Sequence, residues 1–391
     1  MRVIGLMSGT SYDAIDAAAA DLTLDGDDLV LHPLGALRLP MPDSVRATLA
    51  AALPPAPTTL RQVCELDTDL GHAFTAAAQR ANAELCAGNA ELVASHGQTV
   101  FHWVEGDRVR GTLQLGQPAW LAEGTGLPVV ADFRPRDVAA GGQGAPLVSI
   151  VDVLLLRGRP GTAVALNLGG IANLTVVSAD QDPIAYDTGP ANALIDAAAR
   201  EYTGQDYDVD GALAARGTVL AALLDRLLAE PYYRRPAPKT TGKELFHAAY
   251  LDQLRAGLGD LAPADVLATL TELTARTVAD AIRTSAATEV IASGGGTRNP
   301  VLMNRLATRL PGVTLSTSDS IGLPSAAKEA YAFAVLGFLT AHQLPGTIAS
   351  CTGARHATVL GTITPGAKPL TWPTPATPPG RLRIAPRTSQ D

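Results

Sequence analysis

A three-strand pattern that occurs twice constrains this 391-residue chain more than any other feature. The first copy has an apolar strand over residues 2–6, a small-residue turn over 7–11 and an alternating segment over 15–24. An Asp25-Gly26 turn then leads to a third strand near 29–37. The second copy opens with a strand over 162–168, turns at Gly169-Gly170 and continues over 173–177. A polar turn over 178–182 leads to a short strand, 184–186, that ends at Asp187. Period-two alternation punctuated by Gly and Asp is the signature of consecutive hairpins. Helical composition follows, over 191–202, 218–229 and 266–287, and a further strand, 289–292, meets the run Ser293-Gly-Gly-Gly-Thr-Arg298. The next helix has Asn299 as N-cap and Pro300 at its first helical position. Its Leu302, Leu306 and Leu310 recur every four residues and predict one buried stripe.

Two meander-plus-helix halves in tandem predict a duplicated α/β architecture with a cleft between the halves. A chain of this length fits two domains, and 47% apolar residues are enough for a core in each. The expected division is a first lobe of residues 1–137 plus about 345–365, a second lobe of 138–344, and a tail, 366–391. The tail holds Pro369, Pro373, Pro375, Pro378, Pro379 and Pro386 and reads as extended and largely disordered.

Composition excludes several function classes. Net charge is −8, and the 30 Lys and Arg residues are scattered. The densest basic spot, Arg234 and Arg235 with Lys239 and Lys243, is too small for a nucleic acid or an anionic membrane. No stretch approaches the ~18 consecutive apolar residues of a membrane span; even residues 148–156 are broken by Asp152. The first residues enter a strand-and-turn pattern with no signal-peptide core, so a cytoplasmic location is expected. Cys64, Cys86 and Cys351 are far apart and lack CxxC spacing, so they read as reduced, mostly buried thiols rather than disulfide or zinc ligands.

Seven segments can carry chemistry. In Gly5-Leu-Met-Ser-Gly-Thr-Ser-Tyr-Asp-Ala-Ile-Asp16, a small-residue turn after the first strand lets backbone N–H groups and the Ser8, Thr10 and Ser11 hydroxyls approach a phosphate. Asp13 and Asp16 can hold Mg²⁺, directly or through water; a plain hairpin turn is the competing explanation. The matching turn of the second copy, Gly169-Gly170 in Asn167-Leu-Gly-Gly-Ile-Ala-Asn173, can clamp the same phosphates. Asp187, in Tyr186-Asp-Thr-Gly-Pro-Ala-Asn192, sits at the carboxyl edge of a sheet, where a lone carboxylate is a candidate general base. It could instead merely cap the following helix. Gly294 and Gly295 leave backbone open for an adenine to lie against. Gln98, Arg134 and Asp137 follow short apolar strands and can hydrogen-bond a sugar, or else brace the two domains. Glu329 opens an apolar helix, where an acid also favours the helix dipole. No GxxxxGK[ST] loop and no GxGxxG after a strand supports a P-loop or Rossmann site, and no Cys/His/Asp spacing suggests a protein-held transition metal.

These segments together resemble the anhydro-N-acetylmuramic acid kinase family, a branch of the sugar kinase/Hsp70/actin superfamily. The resemblance runs to about Pro365. It is carried by Met7-Ser-Gly-Thr-Ser-Tyr-Asp13, Ser95-His-Gly-Gln-Thr99, Ala139-Ala-Gly-Gly-Gln-Gly-Ala-Pro-Leu147, the Asn167–Asn173 and Asp187–Pro190 blocks, Lys239-Thr-Thr-Gly-Lys-Glu244, Ala292-Ser-Gly-Gly-Gly-Thr-Arg-Asn-Pro300 and Thr352-Gly-Ala-Arg355. It implies a duplicated actin/hexokinase-like (ribonuclease H-like) two-domain fold with an interdomain cleft. It also implies an enzyme that opens 1,6-anhydro-N-acetylmuramic acid with water and phosphorylates O6, giving N-acetylmuramate 6-phosphate and ADP in cell-wall recycling.

By the same resemblance, Asp187 is the catalytic base. Gly9, Thr10, Ser11, Tyr12, Asp13, Ala14, Ile15 and Asp16 carry the phosphates, with Gly169, Gly170, Gly294 and Gly295 completing the ATP site. Gln98, Arg134 and Glu329 are sugar-side contacts, Mg²⁺ arrives with ATP, and the enzyme is a homodimer. Three positions depart from the family: Gln117 replaces an Asp, Ala191 a Gly and Ala14 a Gly. An ordinary hexosamine 6-kinase, and a non-catalytic sugar sensor or actin-like protein, are the competing readings.

Overall fold

The structure, a computed structural model, describes residues 1–386 apart from Thr10, Pro55, Asp107, Lys243, Glu244, Trp372 and Pro375. The chain forms two compact units, one of Met1–Leu155 with Ala327–Asp391 and the other of Leu156–Ala326.

In the first unit, strands β1 (Arg2–Met7), β2 (Ala14–Asp25) and β3 (Asp28–Pro40) form an antiparallel meander. Helices α1 (Asp43–Ala52) and α2 (Leu60–Cys86) return the chain to β4 (Leu92–Ser95), parallel to β1. A hairpin of β5 (Gln98–Glu105) and β6 (Arg108–Leu115) follows. After α3 (Pro118–Thr125) comes β7 (Val129–Ala131), parallel to β4. Next are α4 (Phe133–Ala139) and α5 (Ser149–Leu156).

The second unit repeats the plan. Strands β8 (Ala163–Leu168), β9 (Ile171–Val177) and β10 (Ile184–Pro190) form an antiparallel meander. Helices α6 (Asn192–Thr203), α7 (Ala221–Leu228), α8 (Ala248–Arg255) and α9 (Pro263–Thr284) lead to β11 (Glu289–Ser293), parallel to β8; α10 (Pro300–Arg309) leads to β12 (Thr314–Thr317), parallel to β11. The remaining elements, α11 (Lys328–Ala341), α12 (Ala349–Thr352), β13 (Thr362–Thr364) and β14 (Arg381–Ile384), belong to the first unit.

The strand orders β3-β2-β1-β4-β7 and β10-β9-β8-β11-β12 are the same order with the same directions. This is the ribonuclease H-like arrangement, present twice, so the tandem pattern in the sequence is a real duplication. The first sheet is extended by β13 at one edge and β14 at the other.

Local sequence explains how the first sheet is covered. Ala17, Ala18, Ala19 and Ala20 of β2 are all fully buried, because helices lie on both faces and leave room only for small side chains. On one face, Leu66, Leu70, Phe74, Ala77, Ala78 and Ala81 of α2 pack against Ile4, Leu6, Ala17 and Ala19. That helix starts at a capping box in which the Thr59 side chain accepts from Gln62 N and the Gln62 side chain accepts from Thr59 N. On the other face lies α11, buried nearly throughout. Its closeness depends on Gly5, where a Cβ would overlap the Ala330 carbonyl oxygen and stand 2.6 Å from Ala334 N. The Asn299 side chain caps α10 as its sequence predicts, accepting from Val301 N and Leu302 N, with Leu302, Leu306 and Leu310 buried beneath.

The expected boundaries need two corrections. Helix α11 and residues 138–155 belong to the first unit rather than the second lobe. Beyond its charged first turn this helix is apolar all round and packs wherever two faces can take it, and here that is against β1 and β4. The tail also contains order: β14 pairs in parallel with β3, burying Leu382. Arg381 and Arg383 pair with Asp28, and Arg383 also with Asp25. The surrounding prolines conceal a four-residue alternation of charged and apolar side chains.

Candidate functional site

The turn after β1 is closed by Tyr12 N donating to Gly9 O at 3.1 Å, with Tyr12 in the left-handed region at φ 43°. Thr10 lies outside the described residues. Ser8 is buried, and its hydroxyl donates to Gln98 Oε1 at 2.7 Å. Gln98 Nε2 in turn donates to Gly9 O and Thr99 O. Gln98 is 1% exposed, and in this structure it braces the turn from beneath. Ser8 is likewise spent inside the protein. On the outer side, the Ser11 hydroxyl donates to Asp13 Oδ1.

Arg38, opposite Asp16 in the β2–β3 register, pairs with both Asp13 and Asp16. Burial alone would raise Asp13, but the Ser11 hydroxyl and Arg38 outweigh it and hold the carboxyl below its ordinary range. The sequence reading missed Arg38. Ala14 and Ile15 are buried β2 residues that fix the turn's exit. Ala14 needs no glycine, because its backbone is ordinary strand paired with Pro40.

A second group in the same unit gathers around α4 and α11. Arg134 Nε donates to His96 Nε2 at 3.0 Å, and its Nη1 donates to Gly144 O at 2.6 Å. Asp137 is fully buried. Its Oδ1 accepts from the Thr352 hydroxyl and its Oδ2 from Gly144 N, each at 2.7 Å. In this structure the carboxylate pins the glycine-rich turn 141–144. Burial raises its pKa, offset in part by those two bonds and by Arg134.

Glu329, in the first turn of α11, is partly exposed. Desolvation raises its pKa, with Lys328 and Arg134 opposing and Asp16 and Asp152 reinforcing the rise. Glu329 therefore feels the charges of both Arg134 and Asp16. Its neighbour Lys328 is buried in an ion pair with Asp152 at 2.5 Å. Gln117 serves as the N-cap of α3, accepting from Ala119 N, a task an aspartate performs in the same way.

In the second unit two glycine turns meet. Asn192 Nδ2 donates to Leu168 O and Gly169 O, while the backbone N–H groups of Ala191 and Ala193 donate to Gly170 O and that of Asn192 to Gly169 O. The 169–170 turn is thus fastened to the start of α6. Ala191 has φ −105°, so no glycine is required there. Gly294, at φ 87°, leaves no room for a Cβ, which would stand 2.5 Å from Asn167 Oδ1; the Cβ of residue 296 would be 2.7 Å from Leu168 Cβ. At Gly295 a Cβ would meet nothing within 4 Å.

Asp187 lies within β10 at a register shift, opposite Asn173. It does not cap α6, whose N-cap is Ala191. Its Oδ2 accepts from Thr241 N at 2.9 Å, its N–H donates to Lys239 O, and its carbonyl accepts from Tyr232 OH. Lys239 is itself tied to the Tyr232 and Tyr233 carbonyls. The segment 239–241 and Tyr232 therefore fix the carboxylate, a function invisible in their sequence spacing. A depression of about 740 Å³ elsewhere on this unit contains Arg283, Arg305 and Arg309. Each of these guanidinium groups is already engaged by a carboxylate or carbonyl.

Among the described residues no group of three or more His, Cys, Asp or Glu side chains could hold a metal ion, and no helix is long and apolar enough to cross a membrane. The chain matches the family model of anhydro-N-acetylmuramic acid kinase over residues 1–366. It is 70% identical to the anhydro-N-acetylmuramic acid kinase of Streptomyces avermitilis, over 95% of this chain and 97% of that protein. The Rhodococcus erythropolis protein of the same name is 64% identical over 95% and 96%. The Photobacterium profundum one is 41% identical over 94% and 99%. With identity of this extent, carried along nearly the whole length, the chain belongs to the anhydro-N-acetylmuramic acid kinase family.

Proposed function

We propose that the chain hydrolyses the 1,6-anhydro bond of anhydro-N-acetylmuramic acid and transfers the ATP γ-phosphoryl group to O6, yielding N-acetylmuramate 6-phosphate and ADP. Asp187 takes a proton from the water that attacks the anomeric carbon. The C1–O6 bond breaks as the C1–O bond to water forms, and O6 accepts the phosphoryl group in place of a proton. One base therefore serves where a glycosidase needs an acid–base pair. The observation that carries this reading is Asp187 itself, a carboxylate held within a strand by Thr241 N rather than spent on a helix cap.

The turn from Gly9 to Asp16 carries the phosphates, Gly169 and Gly170 support them, and Gly294 and Gly295 take the adenine side. Arg134 and Glu329 face the sugar. Mg²⁺ bound to the nucleotide neutralises phosphate charge, and Asp13 and Asp16, now engaged by Arg38, are the carboxylates that would hold it. A cytoplasmic homodimer is part of the same proposal. Product analysis with the anhydro sugar against intact N-acetylmuramic acid tests it: turnover of the anhydro sugar is expected. Phosphorylation of the intact sugar alone would make the chain an ordinary hexosamine kinase.

A further inference from the structure

We infer that His96 is a positioning residue for the sugar-side guanidinium: as a neutral ring protonated on Nδ1, it fixes the plane of Arg134 from its bare Nε2. The hydrogen-bond partners determine the tautomer. His96 Nδ1 is 2.8 Å from Gly97 O, which can only accept, so Nδ1 carries the hydrogen. His96 Nε2 is 3.0 Å from Arg134 Nε, which can only donate, so Nε2 carries none.

The surroundings lock this arrangement. His96 is 3% exposed and lies against Phe333, with ring centroids 4.7 Å apart. Phe333 stands one helical turn beyond Glu329 on α11, so the helix that presents the carboxylate also supports the imidazole. Gly97 has φ 70°, and a Cβ there would stand 2.7 Å from Leu115 O. Only glycine therefore fits the turn that aims this carbonyl at the ring. Burial, then Arg134, pushes the imidazole down to about 3, so the ring stays neutral at working pH.

With Nε on His96 and Nη1 on Gly144 O, two edges of the guanidinium are fixed. Among the described residues Nη2 has no hydrogen-bond partner. A long, rotamer-rich side chain is thereby set in one plane before a ligand arrives, and one donor edge is left for an oxygen of the sugar. The inference rests on the proposed reading of Arg134 as a sugar-side group.

Nitrogen-15 NMR of the histidine rings in the whole unliganded protein tests the geometry directly. The His96 ring is expected as the Nδ1–H tautomer; an Nε2–H tautomer would overturn the inference. Kinetics separate positioning from packing. His96→Phe keeps the ring against Phe333 but removes the acceptor, whereas His96→Gln loses the ring but can place Oε1 near the position of Nε2. The expected result is a sugar KM raised about tenfold or more in His96→Phe, with ATP KM unchanged, the scale of one charge-assisted hydrogen bond. His96→Gln should recover most of that loss. A wild-type sugar KM in His96→Phe, or a His96→Gln protein no better than His96→Phe, would overturn the role. A wild-type enzyme that fails to turn over the anhydro sugar would instead defeat the proposed function, leaving the tautomer to decide whether His96 orients Arg134.

Discussion

Replacing Gly5 by alanine should both destabilise the first unit and slow the reaction. The new methyl would overlap the Ala330 carbonyl oxygen and sit 2.6 Å from Ala334 N, against the 3.4 Å at which ordinary contact begins. Helix α11 must therefore retreat from β1 by at least about 0.8 Å, because both obstructing atoms are backbone and no rotamer can clear them. Overpacking of this kind costs about 3 kcal/mol, which at ~2–4 °C per kcal/mol for a unit of this size lowers the melting temperature by about 6–12 °C. The same retreat carries Glu329, and the Phe333 ring under His96, away from the proposed sugar side. A displacement near 1 Å costs up to ~10²-fold in rate, so kcat/KM should fall about 10–100-fold at 25 °C, where most of the protein remains folded. Thermal melting and steady-state kinetics on one preparation suffice as the assay. A Gly5→Ala protein with unchanged melting and unchanged kcat/KM would refute the claim that α11 rests directly on β1 and positions the site.

Three further substitutions separate the assigned roles. Asp187→Asn should lower turnover by about 10²–10⁴-fold, the range of general-base catalysis, while an ATP analogue measured by calorimetry binds within a few-fold of wild type. More than a few per cent of residual rate would remove Asp187 as the base. Asp137→Asn should melt a few degrees lower, through weakening of a charge-assisted bond worth about 1.5–3 kcal/mol, yet keep turnover within a few-fold. Unchanged melting with turnover abolished would make Asp137 a ligand contact after all. Gly295→Ala should leave melting unchanged, because a Cβ there meets nothing within 4 Å, but weaken nucleotide binding. Unaltered nucleotide affinity would assign that turn to the backbone alone.

The duplicated meander was legible because hairpins write themselves locally: alternation, a Gly or Asp turn, alternation again. Arg38 was beyond the same logic, since counting back from the Asp25-Gly26 turn sets Leu37 opposite Asp16, and only the register shift between Ala19 and Ala20 brings Arg38 there. Gln98 and Asp137 were not distinguishable as braces or ligands. A polar residue at a strand end looks the same in either role, and what decides it is burial beside a distant partner: Ser8 for Gln98 and Thr352 for Asp137. The fastening of Asp187 by residues 239–241 and Tyr232 is hidden for the same reason. Helix α11 was assigned to the wrong unit because a helix apolar on every side carries no record of which sheet it covers. The tail strand was hidden because proline density outweighed a four-residue alternation whose pairing partner, β3, lies some 350 residues earlier.

The central claim is that water opens the anhydro ring as O6 is phosphorylated, and its most direct test is mass spectrometry of the product formed from the anhydro sugar and ATP in oxygen-18 water. The account predicts one labelled oxygen in the sugar product, attached at the anomeric carbon, with the phosphoryl group on O6 unlabelled. Because a free anomeric hydroxyl can exchange with solvent, the product must be trapped early against a control of unlabelled product held equally long in the same water. Label no greater than in that control, or label appearing in the phosphoryl group, would contradict attack of water at the anomeric carbon.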